Sequence, residues 1–95
     1  AQRWPSPRAM NRDEIAATVD AFGAAAARAE RAGFDVIEVY AAHGFLLHQF
    51  YSPLCNTRED EYGGDFDGRT RLCREVARAI RQHWPARKPL AFRLS

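Results

Sequence analysis

The first half of the chain carries apolar residues at the spacing of a helix that buries one face. Asn11 stands ahead of these residues, and Glu14 follows it after three positions, which is the spacing of a capping box. Gly33 is the residue type that most readily ends a helix in the left-handed conformation. The pattern predicts a first helix between Asn11 and Gly33, with these apolar residues on its buried face: Ile15, Val19, Phe22, Ala26 and Ala29.

Two strands and a second helix are predicted further along. Residues 34–40 are apolar except for Asp35 and Glu38, which is typical of a strand in a buried parallel sheet. A helix is predicted from about Asp67 to Trp84, where Pro85 would end it. The apolar run from Leu90 to Leu94 favours a second buried strand. The apolar face of the second helix comprises Leu72, Cys73, Val76, Ile80 and Trp84.

The order of these elements indicates an α/β fold. Helix, strand, long loop, helix and strand predict parallel strands joined by right-handed crossovers. Two strands and two helices amount to roughly a quarter of a (β/α)₈ TIM barrel, although the pattern alone also fits a doubly wound open sheet. The chain starts at Ala1 without an initiator Met and stops just after an apolar run. We therefore expect an internal fragment of a longer protein.

Composition narrows the class of protein. The net charge is +2, and the arginines are interleaved with acidic residues, which argues against a nucleic-acid partner. Cys55 and Cys73 are too few for a disulfide framework and lack CxxC spacing, so reduced thiols in a cytoplasmic protein are expected. No apolar stretch reaches the roughly 18 residues of a membrane span. We expect neither a nucleic acid nor a membrane as partner.

Candidate chemistry lies where the two strands end. Active sites of barrels and open α/β sheets lie at the carboxyl ends of strands, which singles out residues 40–45 and Arg93. Strand alternation places Glu38 and Tyr40 on one face, and Arg93 joins them if the aliphatic faces meet the helices. A charge there needs a partner. Arg93 could form an ion pair with Glu38 or contact an electron-rich ligand, and position alone leaves both open.

The three histidines differ in position. His43 lies close behind a strand end. At that position a substrate contact and a solvated loop residue are about equally expected. His48 lies in an apolar cluster and is predicted to be structural, and His83 is predicted to be on the surface. No matched carboxylates or thiols accompany them, so a metal site is not expected. Gly63-Gly64 lacks the spacing of a phosphate loop, and its acidic neighbours are interpreted as turn and cap residues: Asp60, Asp65 and Asp67.

Three sequence segments, taken together, resemble the Old Yellow Enzyme family of FMN-dependent NAD(P)H oxidoreductases. They are Ala41-Ala42-His43-Gly44-Phe45-Leu46-Leu47-His48-Gln49-Phe50, Ser52-Pro53-Leu54-Cys55-Asn56-Thr57-Arg58 and Asp60-Glu61-Tyr62-Gly63-Gly64. The resemblance implies a TIM barrel with FMN at its carboxyl mouth. It implies that residues 1–95 are part of that FMN-binding domain, from about the third helix to the fifth strand.

The resemblance also assigns roles to individual residues. Tyr40 and His43 fall on the donor pair that holds a substrate oxygen over the flavin, and a Tyr in the first place is similar to the trimethylamine dehydrogenase branch. Arg93 falls on the arginine that contacts the flavin pyrimidine edge. Phe45 stands in the substrate pocket where ene-reductases carry a proton-donating Tyr. Gly68 replaces an Asn that the family usually has before the arginine matched by Arg69.

These assignments predict an enzyme that transfers a hydride between NADH or NADPH, FMN and an organic substrate. Tyr40 and His43 would be its catalytic residues and would bind the substrate together with Phe45, while Arg93 would bind the cofactor. An amine dehydrogenase-like enzyme or a multidomain flavoenzyme barrel is one alternative. A barrel-derived piece that binds a partner without catalysis is another. A small molecule is the expected substrate, and a homo-oligomer of the full-length protein stays open.

Overall fold

The computed structural model describes residues 4–95. The start at Ala1, on which the expectation of an internal fragment partly rests, lies outside the described residues. Three helices and two strands follow one another as α1 (Arg12–Ala32), β1 (Ile37–Ala41), α2 (Leu46–Tyr51), α3 (Phe66–Arg81) and β2 (Leu90–Leu94). The two strands are parallel neighbours in one sheet, with Ile37 opposite Leu90 and Ala41 opposite Leu94. The α/β class and the parallel pairing predicted from the sequence are therefore confirmed.

Both ends of α1 form as the sequence predicts. The Asn11 side chain accepts a hydrogen bond from the Glu14 amide at 2.8 Å, and the Glu14 carboxylate accepts one from the Asn11 amide at 3.0 Å. Arg8 also bonds the Glu14 carboxylate and lowers its pKa to about 2. Gly33 ends the helix with φ 87°, in the left-handed region. Local chemistry alone thus sets both limits of this helix.

Two predicted boundaries were wrong. The first strand begins at Ile37 rather than Phe34, because the Phe34 amide bonds the Ala29 carbonyl as part of the α1 cap. The second helix ends at Arg81 rather than Trp84. Because the chain leaves the helix before Trp84, the buried indole can donate a hydrogen bond to the Pro89 carbonyl at 2.9 Å. In both places, hydrogen bonds outside the regular element compete with its extension.

The core lies between the helices and one face of the sheet. Val39 and Ala41 point into it from β1, while Glu38 and Tyr40 alternate onto the opposite, exposed face. Burying a large aliphatic side chain contributes about 1.5–3 kcal/mol, so this face fixes the orientation of the strand. The buried apolar cluster comprises Ile15, Ala26, Val39, Ala41, Leu47, Phe50, Leu72, Val76, Ile80 and Trp84. No helix within residues 4–95 is long and apolar enough to cross a membrane.

A close backbone approach occurs where α3 begins. Asp65 is the N-cap, and its side chain accepts a hydrogen bond from the Gly68 amide at 2.8 Å. A Cβ added to Gly68 would lie 2.0 Å from the Gly63 carbonyl oxygen. This contact explains the glycine in this chain, since any side chain there would require the turn at Gly63 and the helix start to move apart.

Gly68→Ala is therefore expected to destabilise the full-length protein by about 1–3 kcal/mol, the usual cost of forcing an extra group into a packed site. Gly23→Ala is the matched control, because a Cβ there would lie 3.3 Å from its nearest neighbour, the Ala79 carbonyl oxygen. That substitution should change stability by less than about 1 kcal/mol. Urea unfolding of both variants measures the difference, and equal midpoints would contradict the close approach.

Candidate functional site

The predicted site residues lie together at the carboxyl edge of the two strands. Tyr40 is opposite Arg93 in the parallel register, and His43 follows the end of β1 after one residue. Glu38 and Tyr40 are both on the exposed face of β1, and Arg93 is exposed on β2. The alternation predicted from the sequence is thus confirmed, and it gathers a phenol, an imidazole and a guanidinium at one edge.

Tyr40 and His43 form a hydrogen-bonded pair. The Tyr40 hydroxyl bonds His43 Nδ1, and the two rings meet edge to face with centroids 5.5 Å apart. When the hydroxyl donates, Nδ1 is the acceptor and Nε2 carries the proton, so Nε2 is then a donor for a ligand oxygen. The backbone of His43 has φ 55°, a left-handed conformation that a residue with a side chain keeps only when its surroundings enforce it.

His43 is held by its backbone as well as by its ring. Its amide donates a hydrogen bond to Ser95 Oγ at 2.8 Å, across the gap between the ends of the two strands. His43 is exposed, and both its ring and its backbone are hydrogen-bonded. The imidazole is placed at a defined position beside Tyr40.

Phe45 completes an aromatic cluster with Tyr40. Their rings meet edge to face with centroids 5.0 Å apart, and 60% of Phe45 is exposed. The Phe45 amide bonds the Ala42 carbonyl at 3.1 Å, which closes the turn that presents His43. The edge therefore offers an apolar ring next to two hydrogen-bonding groups.

Arg93 is paired with Glu38. Arg93 Nε lies 2.6 Å from Glu38 Oε1, and the two side chains are 55% and 48% exposed. The hydrogen bond to Glu38 also raises the pKa of Arg93. Within residues 4–95 the two Nη atoms of Arg93 make no hydrogen bond, so a guanidinium with five N–H groups keeps donors for another acceptor. The ion pair and a ligand contact are therefore compatible.

The long loop after β1 is built by polar contacts that support the site without joining it. Arg58 bonds the Asp60 carboxylate at 2.6 and 3.0 Å and the Met10 carbonyl at 2.8 Å. The hydrogen bond from Arg58 lowers the pKa of Asp60. Asn56 Nδ2 donates to the carbonyls of Phe50 and Tyr62 at 2.6 and 2.8 Å. These bonds cross-link the loop around α2.

The remaining candidate residues have structural or surface positions. His48 Nδ1 accepts a hydrogen bond from the Gly44 amide at 2.7 Å, and His83 is exposed, as the sequence predicts for both. Asp60 and Asp65 serve the turn and the helix cap. Among residues 4–95, no group of three or more His, Cys, Asp or Glu side chains is arranged to hold a metal ion.

Two residues of the edge were missed by sequence reasoning. Tyr51, the last residue of α2, donates a hydrogen bond from its hydroxyl to the Ala41 carbonyl at 2.7 Å. The same hydroxyl accepts a hydrogen bond from the Ser95 amide at 3.1 Å. A tyrosine behind an apolar cluster and a serine after a strand carry no sequence signal that distinguishes them from ordinary packing and loop residues.

An apolar groove of about 440 Å³ lies between α3 and β2. It is lined by Phe92 and Leu94, which alternate with Arg93 and so belong to the other face of the sheet. Its lining is largely apolar and includes Tyr51 and Ser95 but neither Tyr40 nor His43. The candidate chemistry therefore lies at the strand ends and not in this groove.

Comparison with known proteins identifies the family of this chain. The sequence profile of the NADH:flavin oxidoreductase / NADH oxidase family matches residues 1–95. An NADPH dehydrogenase of Clostridium acetobutylicum is 51% identical over 90 residues, which are 95% of this chain and 26% of that protein. An NADH:flavin oxidoreductase of Gibberella zeae is 50% identical over 91 residues, which are 96% of this chain and 22% of that protein.

Solved structures agree with the sequence relatives. Morphinone reductase in complex with tetrahydroNAD superposes with a TM-score of 0.87 at 41% identity, covering 93% of this chain and 24% of that one. A second morphinone reductase structure gives a TM-score of 0.89 at 39% identity, with 95% and 24% covered. The chain belongs to the NADH:flavin oxidoreductase / NADH oxidase family. It spans about a quarter of the length of these relatives, and the family predicted from the sequence is confirmed.

Proposed function

We propose that the full-length protein is an FMN-dependent oxidoreductase that transfers a hydride between NADH or NADPH, the flavin and an organic substrate. Residues 1–95 would form part of one FMN-binding TIM-barrel domain, from about its third helix to its fifth strand. The observation that carries the proposal is the grouping of Tyr40, His43 and Arg93 at the carboxyl edge of two parallel strands. Barrel active sites lie at that edge.

The residues of this edge fit a flavin. When bound, FMN would supply a ring system that accepts a hydride and passes it on. Arg93 would bind it, because its Nη atoms make no hydrogen bond to any residue from 4 to 95 and lie on the face shared with Tyr40. Its positive charge would favour the reduced flavin, which carries negative charge. Glu38 would keep the Arg93 side chain extended along the sheet through their ion pair.

Tyr40 and His43 would bind the organic substrate. His43 Nε2 is the ring atom that does not bond Tyr40, and as a donor it would hold an electron-withdrawing oxygen of the substrate. Tyr40 would orient the imidazole, and Phe45 would supply an apolar wall. The nicotinamide reductant is supported by relatives named NADPH dehydrogenase and by the morphinone reductase complex with tetrahydroNAD.

The purified full-length protein provides the test. We expect a yellow protein whose visible absorbance is bleached by NADH or NADPH without oxygen and restored by an organic acceptor. A colourless protein that takes up no FMN would overturn the proposal. That result would favour a partner-binding role for a barrel without catalysis.

Amine oxidation is a second candidate, favoured by the hydrogen bond between Tyr40 and His43. A Tyr and a His at this spacing are similar to the trimethylamine dehydrogenase branch. The two candidates differ in the reductant. Anaerobic bleaching of the flavin by a tertiary amine, with no bleaching by NADH or NADPH, would favour the second.

Arg93→Ala is expected to weaken FMN affinity about tenfold and to lower the reduction potential of the bound flavin. The reason is that a nearby positive charge stabilises the reduced, negatively charged flavin. Flavin fluorescence titration and a dye-coupled potential measurement provide the readouts. Glu38→Gln is the matched control, because it removes the ion pair and keeps the guanidinium. Equal effects of the two substitutions would show that Arg93 serves only the ion pair.

A further inference from the structure

The hydroxyl of Tyr51 lies between the carboxyl ends of β1 and β2. It accepts a hydrogen bond from the Ser95 amide at 3.1 Å and donates one to the Ala41 carbonyl at 2.7 Å. Three elements therefore meet at one oxygen atom: α2 supplies the tyrosine, β1 the carbonyl and β2 the amide that follows it.

The register shows what this hydroxyl replaces. Ile37 lies opposite Leu90 and donates its amide to the Pro89 carbonyl at 3.4 Å. In a parallel pair such a residue also accepts from the residue after its partner, and the pattern repeats every second residue. Ala41 lies opposite Leu94, so its carbonyl should accept directly from the Ser95 amide. The Tyr51 hydroxyl stands between these two groups and relays that bond.

The relayed bond continues to the candidate substrate-binding pair. Ser95 Oγ accepts a hydrogen bond from the His43 amide at 2.8 Å, and the His43 ring bonds Tyr40. His43 has a left-handed backbone, which its surroundings must enforce. The hydroxyl of Tyr51 therefore places Ser95, and Ser95 places the turn that carries His43.

Tyr51 is itself held firmly. Its carbonyl accepts a hydrogen bond from Arg69 Nε at 3.1 Å, and its ring lies against His48 with centroids 5.0 Å apart. A phenylalanine would keep these ring and backbone contacts. The two bonds of the hydroxyl are thus the specific contribution of a tyrosine at this position.

We propose that Tyr51 is a positioning residue for His43, acting through Ser95 and without touching the substrate. The inference rests on the proposed function, since it assumes that His43 binds the substrate. It assigns to Tyr51 and Ser95 a role in substrate affinity that the motifs of the sequence do not indicate.

The test uses the full-length flavoprotein and 4-hydroxybenzaldehyde, a phenol that would lie over the flavin and perturb its absorbance. Tyr51→Phe removes both hydrogen bonds of the hydroxyl. Through the displaced His43 it is expected to weaken binding of this probe roughly two- to tenfold, equivalent to about one neutral hydrogen bond. Tyr62→Phe is the matched control, because the Tyr62 hydroxyl is also partly buried and donates to Glu75 at 2.7 Å, outside this network. Its affinity for the probe should equal that of the wild type.

Ser95 variants and a double-mutant cycle separate positioning from general destabilisation. Ser95→Ala should weaken binding of the probe. Ser95→Thr keeps a hydroxyl and should bind the probe like the wild type. In a His43→Ala background, Tyr51→Phe should have no further effect, because residues acting through one contact are not additive. Thermal unfolding of each variant shows whether the fold is intact.

The outcomes distinguish this inference from the proposed function. A wild-type protein that binds no FMN would overturn both. A wild-type flavoprotein whose flavin does not respond to the phenol would overturn the positioning role alone. A normal wild-type response that is weakened in His43→Ala but unchanged in Tyr51→Phe would overturn the positioning role alone. The same loss from Tyr51→Phe with and without His43 would also overturn it.

Discussion

Phe45→Tyr is expected to accelerate the reduction of a cyclic enone by about 10²–10⁴-fold, the usual contribution of a positioned general acid. Reduction of the alkene requires a hydride at one carbon and a proton at its neighbour. The phenyl ring of Phe45 carries no transferable proton, yet it lies beside the Tyr40 ring at the edge where the substrate would bind. A phenol there would supply the missing proton.

Stopped-flow reoxidation of the reduced full-length enzyme by cyclohexenone measures this effect. Phe45 is 60% exposed, so an added hydroxyl has room and the fold should tolerate it. Phe66→Tyr is the matched control, since Phe66 is 73% exposed at the start of α3, outside the cluster of Tyr40 and His43. Rapid turnover by the wild type with no gain in Phe45→Tyr would show that another group or water donates the proton.

His43→Ala is expected to weaken the binding of phenolate ligands about ten- to a hundredfold. The loss of a hydrogen bond to a charged group costs about 1.5–3 kcal/mol. The ring of His43 is fixed by Tyr40 and its backbone by Ser95, so little freedom is lost when a ligand binds. Because the donor is already in place before the ligand binds, the full free energy of this hydrogen bond should appear as lost affinity in His43→Ala.

Titration of the flavin absorbance with 4-hydroxybenzaldehyde gives the two affinities. His83→Ala is the control, because His83 is exposed just beyond the end of α3 and should not contribute. Identical titrations for the wild type and His43→Ala would remove His43 from the substrate site. An equal loss in His83→Ala would indicate a general effect on folding.

The fold could be read from the sequence where short-range chemistry decides it. The capping box of Asn11 and Glu14 and the left-handed Gly33 set the limits of α1, and each of these interactions spans only a few residues. Strand alternation placed Glu38 and Tyr40 on the face away from the core, because the period of two follows from backbone geometry. The edge that carries the candidate site was predictable because active sites of such folds lie at the carboxyl ends of the strands.

Boundaries were less predictable where groups from different elements compete for the same backbone atoms. Phe34 has the apolar character of a strand residue, but its amide completes the end of α1. Trp84 continues the apolar stripe of α3, but its indole finds the Pro89 carbonyl only when the helix has already ended. No sequence window contains the geometry that resolves such a competition.

By itself, the sequence determined the element order, the parallel α/β arrangement, the family and the residues gathered at the strand ends. The tertiary structure alone decided how these residues are held. The sequence left open whether Arg93 pairs with Glu38 or contacts a ligand. The sheet register places its Nε against Glu38, and its two Nη atoms make no hydrogen bond within residues 4–95. Tyr51 joins Ala41 to Ser95 across more than forty residues of chain. Contacts of that range depend on how strands and helices pack, which residue type and spacing do not specify.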